Sequence, residues 1–434
     1  MTKPKKLGLA TLVASTFFMV SGGAYGLEEL VACGYAIAIA ALVVTPLVWS
    51  LPTALMVGEL ASALPDEGGY YAWVRRAMGP FWGLQEAWLS LVASVFDMAI
   101  YPTLFTLYLG RIAPSVSVGW RAVAVGVVLI AVCAAWNMRG ASTVGTGSVA
   151  LGVAIVAPFV ILGALGLAHG HAHAAGAAAA TSAPPGLMTG VLVAMWNYMG
   201  WDNASTIAQE VERPAKTYPR AVLTALGLVA AMYLWPVGGA AFAGLDPGGW
   251  TTGAWVGAAR DVGGRGLALA VVVGGMVSGV GTYNALLLSY SRVPAALAAD
   301  GYLPAWLSRR EPKSGAPWAS IVVCSVAYAA CLGIGFARLV ELDVLLYGAS
   351  LALEFAALVV LRVREPQLER PFRVPGGTVC AVLWSIAPLS LLGVALWHGS
   401  PAPPDPDSSL NPLVLGGVLV ALGPVVYALR RRPA

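Results

Sequence analysis

Asn197-Tyr198-Met199-Gly200-Trp201-Asp202-Asn203 decides the reading of this chain. It lies about halfway along a run, 187–209, that is otherwise apolar. A span across a bilayer needs about 20 mostly apolar residues, and the run is long enough. In lipid every backbone N–H and C=O must be satisfied, so glycine, asparagine and a carboxylate in mid-span predict an unwound stretch lining a protein-enclosed cavity. A second interruption, Ser21-Gly22-Gly23-Ala24-Tyr25-Gly26, sits in the first apolar run. Interrupted segments at corresponding places in two halves point to a binding site near the middle of the membrane. Glycines that merely let helices pack closely are the plainer reading, but Asp202 beside the second break weighs against it.

The rest of the chain has the composition this requires. Its 434 residues are 58% hydrophobic and 11% charged, with a mean hydropathy of +0.77. Soluble domains carry about 25% charged residues, so most of this surface must face lipid. Apolar runs predict about twelve spans, near 8–32, 35–60, 80–110, 119–137, 142–168, 187–209, 218–244, 265–295, 316–336, 339–361, 378–397 and 411–429. The fold class expected is an all-α integral membrane protein. The net charge of +4 does not indicate a nucleic-acid binder, because the basic residues are spread between the apolar runs. Of the 25 Lys and Arg, twenty fall on the side of the N-terminus and five on the other, namely Arg111, Arg121, Arg260, Arg265 and Arg338. That bias predicts a multi-pass protein of the cell membrane with both termini cytoplasmic. The first run continues through Gly22-Gly23 to Glu28-Glu29, longer than a secretory apolar region, and is read as a retained first span.

Smaller features are read conservatively. Cys33, Cys133, Cys324, Cys331 and Cys380 lack metal or pairing spacing and are taken as small packing residues. His169, His171 and His173 with their Ala-rich continuation are an outer loop of biased composition rather than a metal site; no metal is expected. The Pro-rich stretch 401–412 is an outer connector, and 66–79, aromatic and basic, has the look of an interfacial helix.

Buried acids carry the functional signal. Asp97 lies deep in span 3, Asp202 in span 6 and Glu354 in span 10, while Glu28 and Glu29 follow the first break. A charge in mid-membrane costs about 2.5–3.5 kcal/mol even on the lenient insertion scale, so function is the default reading. No Lys or Arg partner stands near the deep acids in sequence. Such a carboxylate can hold a cationic substrate, carry a proton or bind an ion. Tyr101, at i+4 from Asp97, shares its face, and aromatic faces beside a carboxylate suit an ammonium group. Glu59, Glu210 and Glu212 sit near the inner face as structural or gating groups.

These residues resemble the amino acid–polyamine–organocation superfamily, and most closely its polyamine uptake members within the L-type amino acid transporter branch. The resemblance rests on SGGAYGLEE (21–29), PDEGGYYAWVRRAMGPFWGLQEAW (65–88), FDMAIYPTLF (96–105), MWNYMGWDNASTIAQEVERPAKTYPRA (195–221) and LEFAALVVLRVREPQLERPFRVPGG (353–377). It implies the LeuT fold: spans 1–5 (8–168, the first broken near 21–24) and 6–10 (187–363, the sixth broken near 199–203) as an inverted repeat, then two helices over 378–429. It implies a substrate between the breaks, contacted by Ser21, Gly22, Gly23, Tyr25, Asp97, Tyr101, Asn197, Tyr198, Trp201 and Asp202. Glu28, Asp97, Asp202 and Glu354 become the candidates for proton coupling or gating. Ser-Gly-Gly at the first break, where amino-acid members commonly have Gly-Ser-Gly, and Trp201-Asp202 at the second both look like the polyamine branch.

The expectation is therefore a secondary active importer of polyamines or related organic cations, not an enzyme, with no cofactor and with H+ as the coupling ion. An amino-acid transporter or exchanger of the same fold is the alternative. Span 142–168 has no Lys, the residue some proton-coupled relatives use; Ser278 and Thr282 form an i, i+4 hydroxyl pair that suits Na+ or simple backbone capping. The loop 111–121 lacks a cysteine, so no disulfide-linked heavy chain is expected. A channel or membrane enzyme would need a charged pore ring or a metal-ligand constellation, and the sequence offers neither.

Overall fold

The computed structural model describes residues 6–66, 68–169, 187–334, 336–398 and 412–430. His171, His173 and 401–411 lie outside them, as do Lys3 and Lys5. Every described element is a helix, apart from an isolated parallel bridge between Leu7 and Val211. In order, the longer and shorter α-helices are α1 (Leu9–Val20), α2 (Glu28–Val31), α3 (Tyr35–Thr45), α4 (Leu51–Ala63), α5 (Tyr70–Met78), α6 (Pro80–Gly110), α7 (Trp120–Asn137) and α8 (Ala141–His169). They continue as α9 (Leu187–Asn197), α10 (Pro214–Phe242), α11 (Trp255–Tyr290), α12 (Arg292–Ala299), α13 (Trp318–Ala329), α14 (Phe336–Arg364), α15 (Gly377–His398) and α16 (Pro412–Arg430).

Eight of the described helical stretches are long and apolar enough to cross a membrane, and α1, α13 and Val414–Leu429 are shorter apolar helices. The stretch Tyr35–Ala63 passes through one π-turn at Pro46–Ser50, where Pro46 and Pro52 each lack an N–H to continue the ladder. The span expected from 265 begins earlier: α11 starts at Trp255 and kinks at Gly264, whose φ of +74° only glycine adopts without strain.

The helices pack so that α6 lies along α11 and α14, while α1 sits among α8, α10 and α11. This puts both broken segments in the centre of the molecule. The stretch 66–79, read as an interfacial helix, holds α5, in which Tyr70, Tyr71, Trp73 and Val74 are buried and the helix packs against α6 and α14. Only its basic edge is exposed, where Arg75 reaches Asp300 and Arg76 reaches Glu365. Cys33, Cys133 and Cys324 are buried and unpaired, as small apolar groups would be.

Candidate functional site

Helix α1 stops at Val20, and the chain does not turn helical again until Glu28. Gly23 and Gly26 hold φ of +91° and +89°, the region open to glycine at no steric cost. Local side chains satisfy the freed backbone: Ser21 Oγ accepts from Gly23 N–H at 3.1 Å, and Glu28 Oε2 accepts from Gly26 N–H at 2.7 Å. In the second break α9 ends at Asn197 and a 3-10 turn begins at Asn203. There Ser50 and Trp201 donate to Tyr198 O (3.0 and 2.8 Å), and Tyr233 donates to Asn197 O (2.7 Å). Gly200 N–H donates to Tyr347 Oη at 3.1 Å. Buried irregular backbone is tolerated in a membrane protein only when it is paired in this way.

The breaks meet. A Cβ on Gly200 would lie 2.6 Å from the Met19 carbonyl, and one on Gly22 2.2 Å from Ser278 Oγ. Asn197 Nδ2 bridges the two by donating to Gly26 O at 3.2 Å. Between them is a cavity of about 20 Å³, lined by Gly22, Tyr25, Asp97, Tyr101, Trp196 and Tyr290 with their neighbours on α1, α11 and α14. That volume holds about one water. The chain is therefore closed around its centre, and a larger solute requires the walls to part.

Asp97 is the one charged side chain among the lining residues. Tyr101 Oη donates to its Oδ1 at 2.7 Å and Tyr290 Oη to its Oδ2 at 3.2 Å. Trp196 stacks on Tyr101 at 6.4 Å between ring centroids, 24° from parallel. No Lys, Arg or His joins this wall. The cavity thus combines a carboxylate, two aromatic faces and the carbonyl end of α1, and helix C-terminal ends favour cations.

The candidates read from sequence divide into two groups. Gly22, Tyr25, Asp97, Tyr101 and Asn197 line the cavity. Ser21, Gly23, Tyr198, Trp201 and Asp202 stand behind its wall. Tyr198 packs on Tyr233 and donates to Leu42 O; Trp201 is wholly buried. Asp202 is reached through Tyr347, whose Oη donates to Asp202 Oδ1 at 2.5 Å, and Tyr347 is itself a lining residue.

Of the coupling candidates, Glu28 is a cap. It accepts from Gly26 N–H, from Tyr108 Oη at 2.5 Å and from Gly253 N–H at 2.9 Å, while Glu29 holds Thr252. Together they pin the loop after α10 over the first break. Glu354 is fully buried and neither of its oxygens has a hydrogen-bond partner. Glu59 is bound by Arg362 and Arg370, and Glu210 by Arg292.

Sequence reasoning passed over Trp196, Asn203, Tyr290 and Tyr347 on the wall, and two further buried acids, Glu86 and Asp343. Asp343 lies one turn before Tyr347 on α14, and both its oxygens are unpartnered. The i, i+4 pairing of an acid with a tyrosine that drew attention to Asp97 and Tyr101 occurs again at Asp343 and Tyr347 and was the available signal. Ser278 and Thr282 also line the cavity, and Thr282 Oγ1 has no partner.

Comparisons with known proteins give the family. The amino acid permease family profile matches residues 13–420. The chain is 34% identical over 394 residues to the polyamine transporter RMV1 of Arabidopsis thaliana, covering 90% of this chain and 80% of that protein. It is 35% identical over 395 residues to the polyamine transporter PUT1 of Oryza sativa subsp. japonica, covering 90% and 74%. An uncharacterized transporter of Mycobacterium tuberculosis is 28% identical over 397 residues, covering 88% and 84%. With a profile match over nearly its whole length, the chain belongs to the amino acid permease family of the amino acid–polyamine–organocation superfamily.

Proposed function

We propose that the protein is a proton-coupled secondary transporter that imports polyamines or related organic cations. The observation that carries this is Asp97: a buried carboxylate on the cavity wall, held by tyrosine hydroxyls and with no basic side chain facing it. A buried carboxylate without a countercharge is costly, and an ammonium group arriving with the solute removes that cost. Trp196 and Tyr101 supply the face over which such a group and its methylenes pack. Behind Tyr347, Asp202 is the second acid an extended diamine reaches once the cavity opens. Names of relatives support the same solute class.

The architecture proposed with it is twelve membrane helices in the LeuT arrangement. Residues 8–168 and 187–363 form the inverted repeat, 378–429 add two helices, and both termini are cytoplasmic. Paired breaks at 21–27 and 198–202 support the repeat, and the Lys and Arg bias supports the orientation. The transporter works without a resident cofactor or a disulfide-linked heavy chain, and H+ rather than Na+ is the coupling ion.

One observation favours a second reading, an amino-acid transporter or exchanger. Gly22 faces the cavity at the first break, where the free amides of an unwound helix suit a substrate carboxylate. Uptake into proteoliposomes separates the two. Labelled putrescine or spermidine accumulates under an inward proton gradient, with choline replacing sodium, and leucine and alanine compete poorly. Full competition by leucine or alanine with no putrescine uptake rejects the polyamine reading; strict dependence on sodium rejects proton coupling.

A further inference from the structure

A second polar cluster lies away from the cavity, where α5, α6 and α14 meet. Glu86 on α6 and Glu354 on α14 are both fully buried, and neither lines the cavity. Glu86 Oε1 accepts from Ser350 Oγ at 2.5 Å and from Ser90 Oγ at 3.0 Å, and those two hydroxyls are 2.9 Å apart. Its Oε2 has no partner. Glu354 stands one turn beyond Ser350 on the same face of α14, with both oxygens unpartnered. Tyr70, contributed by α5 and also fully buried, lies close to Ser90 without completing a hydrogen bond. Its hydroxyl is within electrostatic reach of Glu86, Glu354 and Asp202.

Among the described residues no cation is paired with these charges. The arginines on neighbouring turns are committed elsewhere: Arg362 to Glu59 and Val374 O, Arg364 to Ala77 O, Arg75 to Asp300 and Arg76 to Glu365. The remaining titratable groups facing the cluster are Asp202 and Tyr347, which bond to each other. Ser350 connects the two acids, bonded to Glu86 and one turn from Glu354 on α14. Two like charges this near in a dry interior disfavour double ionisation, so one of them keeps a proton. Glu86, Glu354 and Tyr70 are all fully buried, and the cation assigned to the pair is the smallest.

We propose that Glu86 and Glu354 share one exchangeable proton, the coupling ion of the transport cycle, with Tyr70 poised to donate to whichever carboxylate is left charged. This rests on the proton-coupled reading above. With the proton bound, the pair carries one negative charge, and that charge is spread over the hydroxyls of Ser90 and Ser350. When it leaves to the cytoplasmic side, two charges face each other across the contact of α6 with α14. The proton is neither formed nor consumed in this step; it moves from carboxyl to water and is replaced from the opposite side in the next cycle.

Glu354→Gln and Glu86→Gln each fix a neutral group in the pair. In proteoliposomes each variant loses proton-driven accumulation of putrescine by about tenfold or more, the equivalent of 1.4 kcal/mol. Exchange of putrescine at equal pH persists, and its Kd stays within about threefold. Proton-driven accumulation in both amide variants overturns the proposal, as does a tenfold loss of putrescine affinity, which would make the pair a substrate subsite. If neither amide variant gives a monodisperse protein, Tyr70→Phe decides. Removing a donor to the carboxylate moves the pH midpoint of uptake upward by about half a unit or more, and an unmoved midpoint overturns the proposal. A wild-type protein with no proton-driven uptake rejects the coupled-transport reading itself, whereas driven wild-type uptake shared by the amide variants rejects this inference alone.

Discussion

Two groups of buried acids sit within one helix bundle, and their partners differ completely. Glu59 is wholly buried and receives Arg362 Nε at 2.9 Å, Arg370 Nε at 3.2 Å and the Val374 N–H at 2.7 Å. Both arginines are themselves almost fully buried. Asp97, Asp202, Glu86, Asp343 and Glu354 are buried too, yet their partners are neutral donors, chiefly hydroxyls, or nothing. Among the described residues, Glu59 is the fully buried acid that is paired with arginine. An acid whose charge is cancelled internally is structural, because nothing further can bind it. An acid left with neutral donors is open to a cation from outside unless, like Glu28, it caps freed backbone. Under the proposed function the second group supplies the carboxylates that such cations meet.

Replacing a carboxylate by its amide should therefore have opposite consequences in the two regions. Glu59→Gln leaves two guanidinium groups buried without a countercharge. Breaking such a pair costs about 3–5 kcal/mol, and the variant should show the largest loss of thermal stability, read by the melting of detergent-solubilised protein. Its partner substitution Arg362→Met should cost a comparable amount, since Glu59 then keeps Arg370 alone. If Glu59→Gln melts with the wild type, the division into structural and waiting acids fails.

Asp97→Asn is the next largest effect and falls on binding. Tyr101 can still donate to the amide oxygen while the amide nitrogen donates to the Tyr290 hydroxyl oxygen. An unpaired charge has been removed, so the melting temperature stays level or rises. Affinity for putrescine should fall by about ten- to a hundredfold, as loss of a charge-assisted hydrogen bond worth roughly 1.5–3 kcal/mol implies. Isothermal titration or scintillation proximity binding measures it. Lowered stability together with unchanged affinity would move Asp97 into the structural group.

Most of the helix layout was legible in the chain, because apolar length is a one-dimensional signal. The breaks were legible too: α1 ends at Val20 and α9 at Asn197, where glycine and polar residues interrupt the runs. What sequence did not give was direction. Within an unwound stretch there is no period to say which way a side chain points, and so Tyr198 and Trp201 turned away from the cavity while Trp196, the last turn of α9, faces it. On α6 and α14 both faces are apolar over many turns, since the helices are surrounded by protein. Glu86 gains its meaning only when α6 and α14 are brought together, and that contact spans some 260 residues, as between Ser90 and Ser350.

The smallest effect is expected at an ion pair that looks, on paper, like that of Glu59. Arg76 Nη2 lies 2.7 Å from Glu365 Oε2 and Arg76 Nε 3.1 Å from Oε1, a two-pronged contact of the kind that fixes geometry. But their side chains are 43% and 32% exposed, and water competes for both. Arg76 holds the Glu365 carboxyl below the usual range. A group whose folded value is depressed contributes stability above its unfolded value, about 4.3 for glutamate, and loses it as pH falls through the folded value. Glu365→Gln should thus cost no more than about 0.5 kcal/mol at neutral pH. The cost should disappear in acid below pH ~4 and shrink in 1 M salt, where screening reaches only about 3 Å. Glu59→Gln should keep its cost in salt, because ions do not reach a wholly buried pair. Equal salt sensitivity at the two sites would mean that solvent enters the Glu59 pair, and burial would no longer separate structural acids from those that wait for a cation.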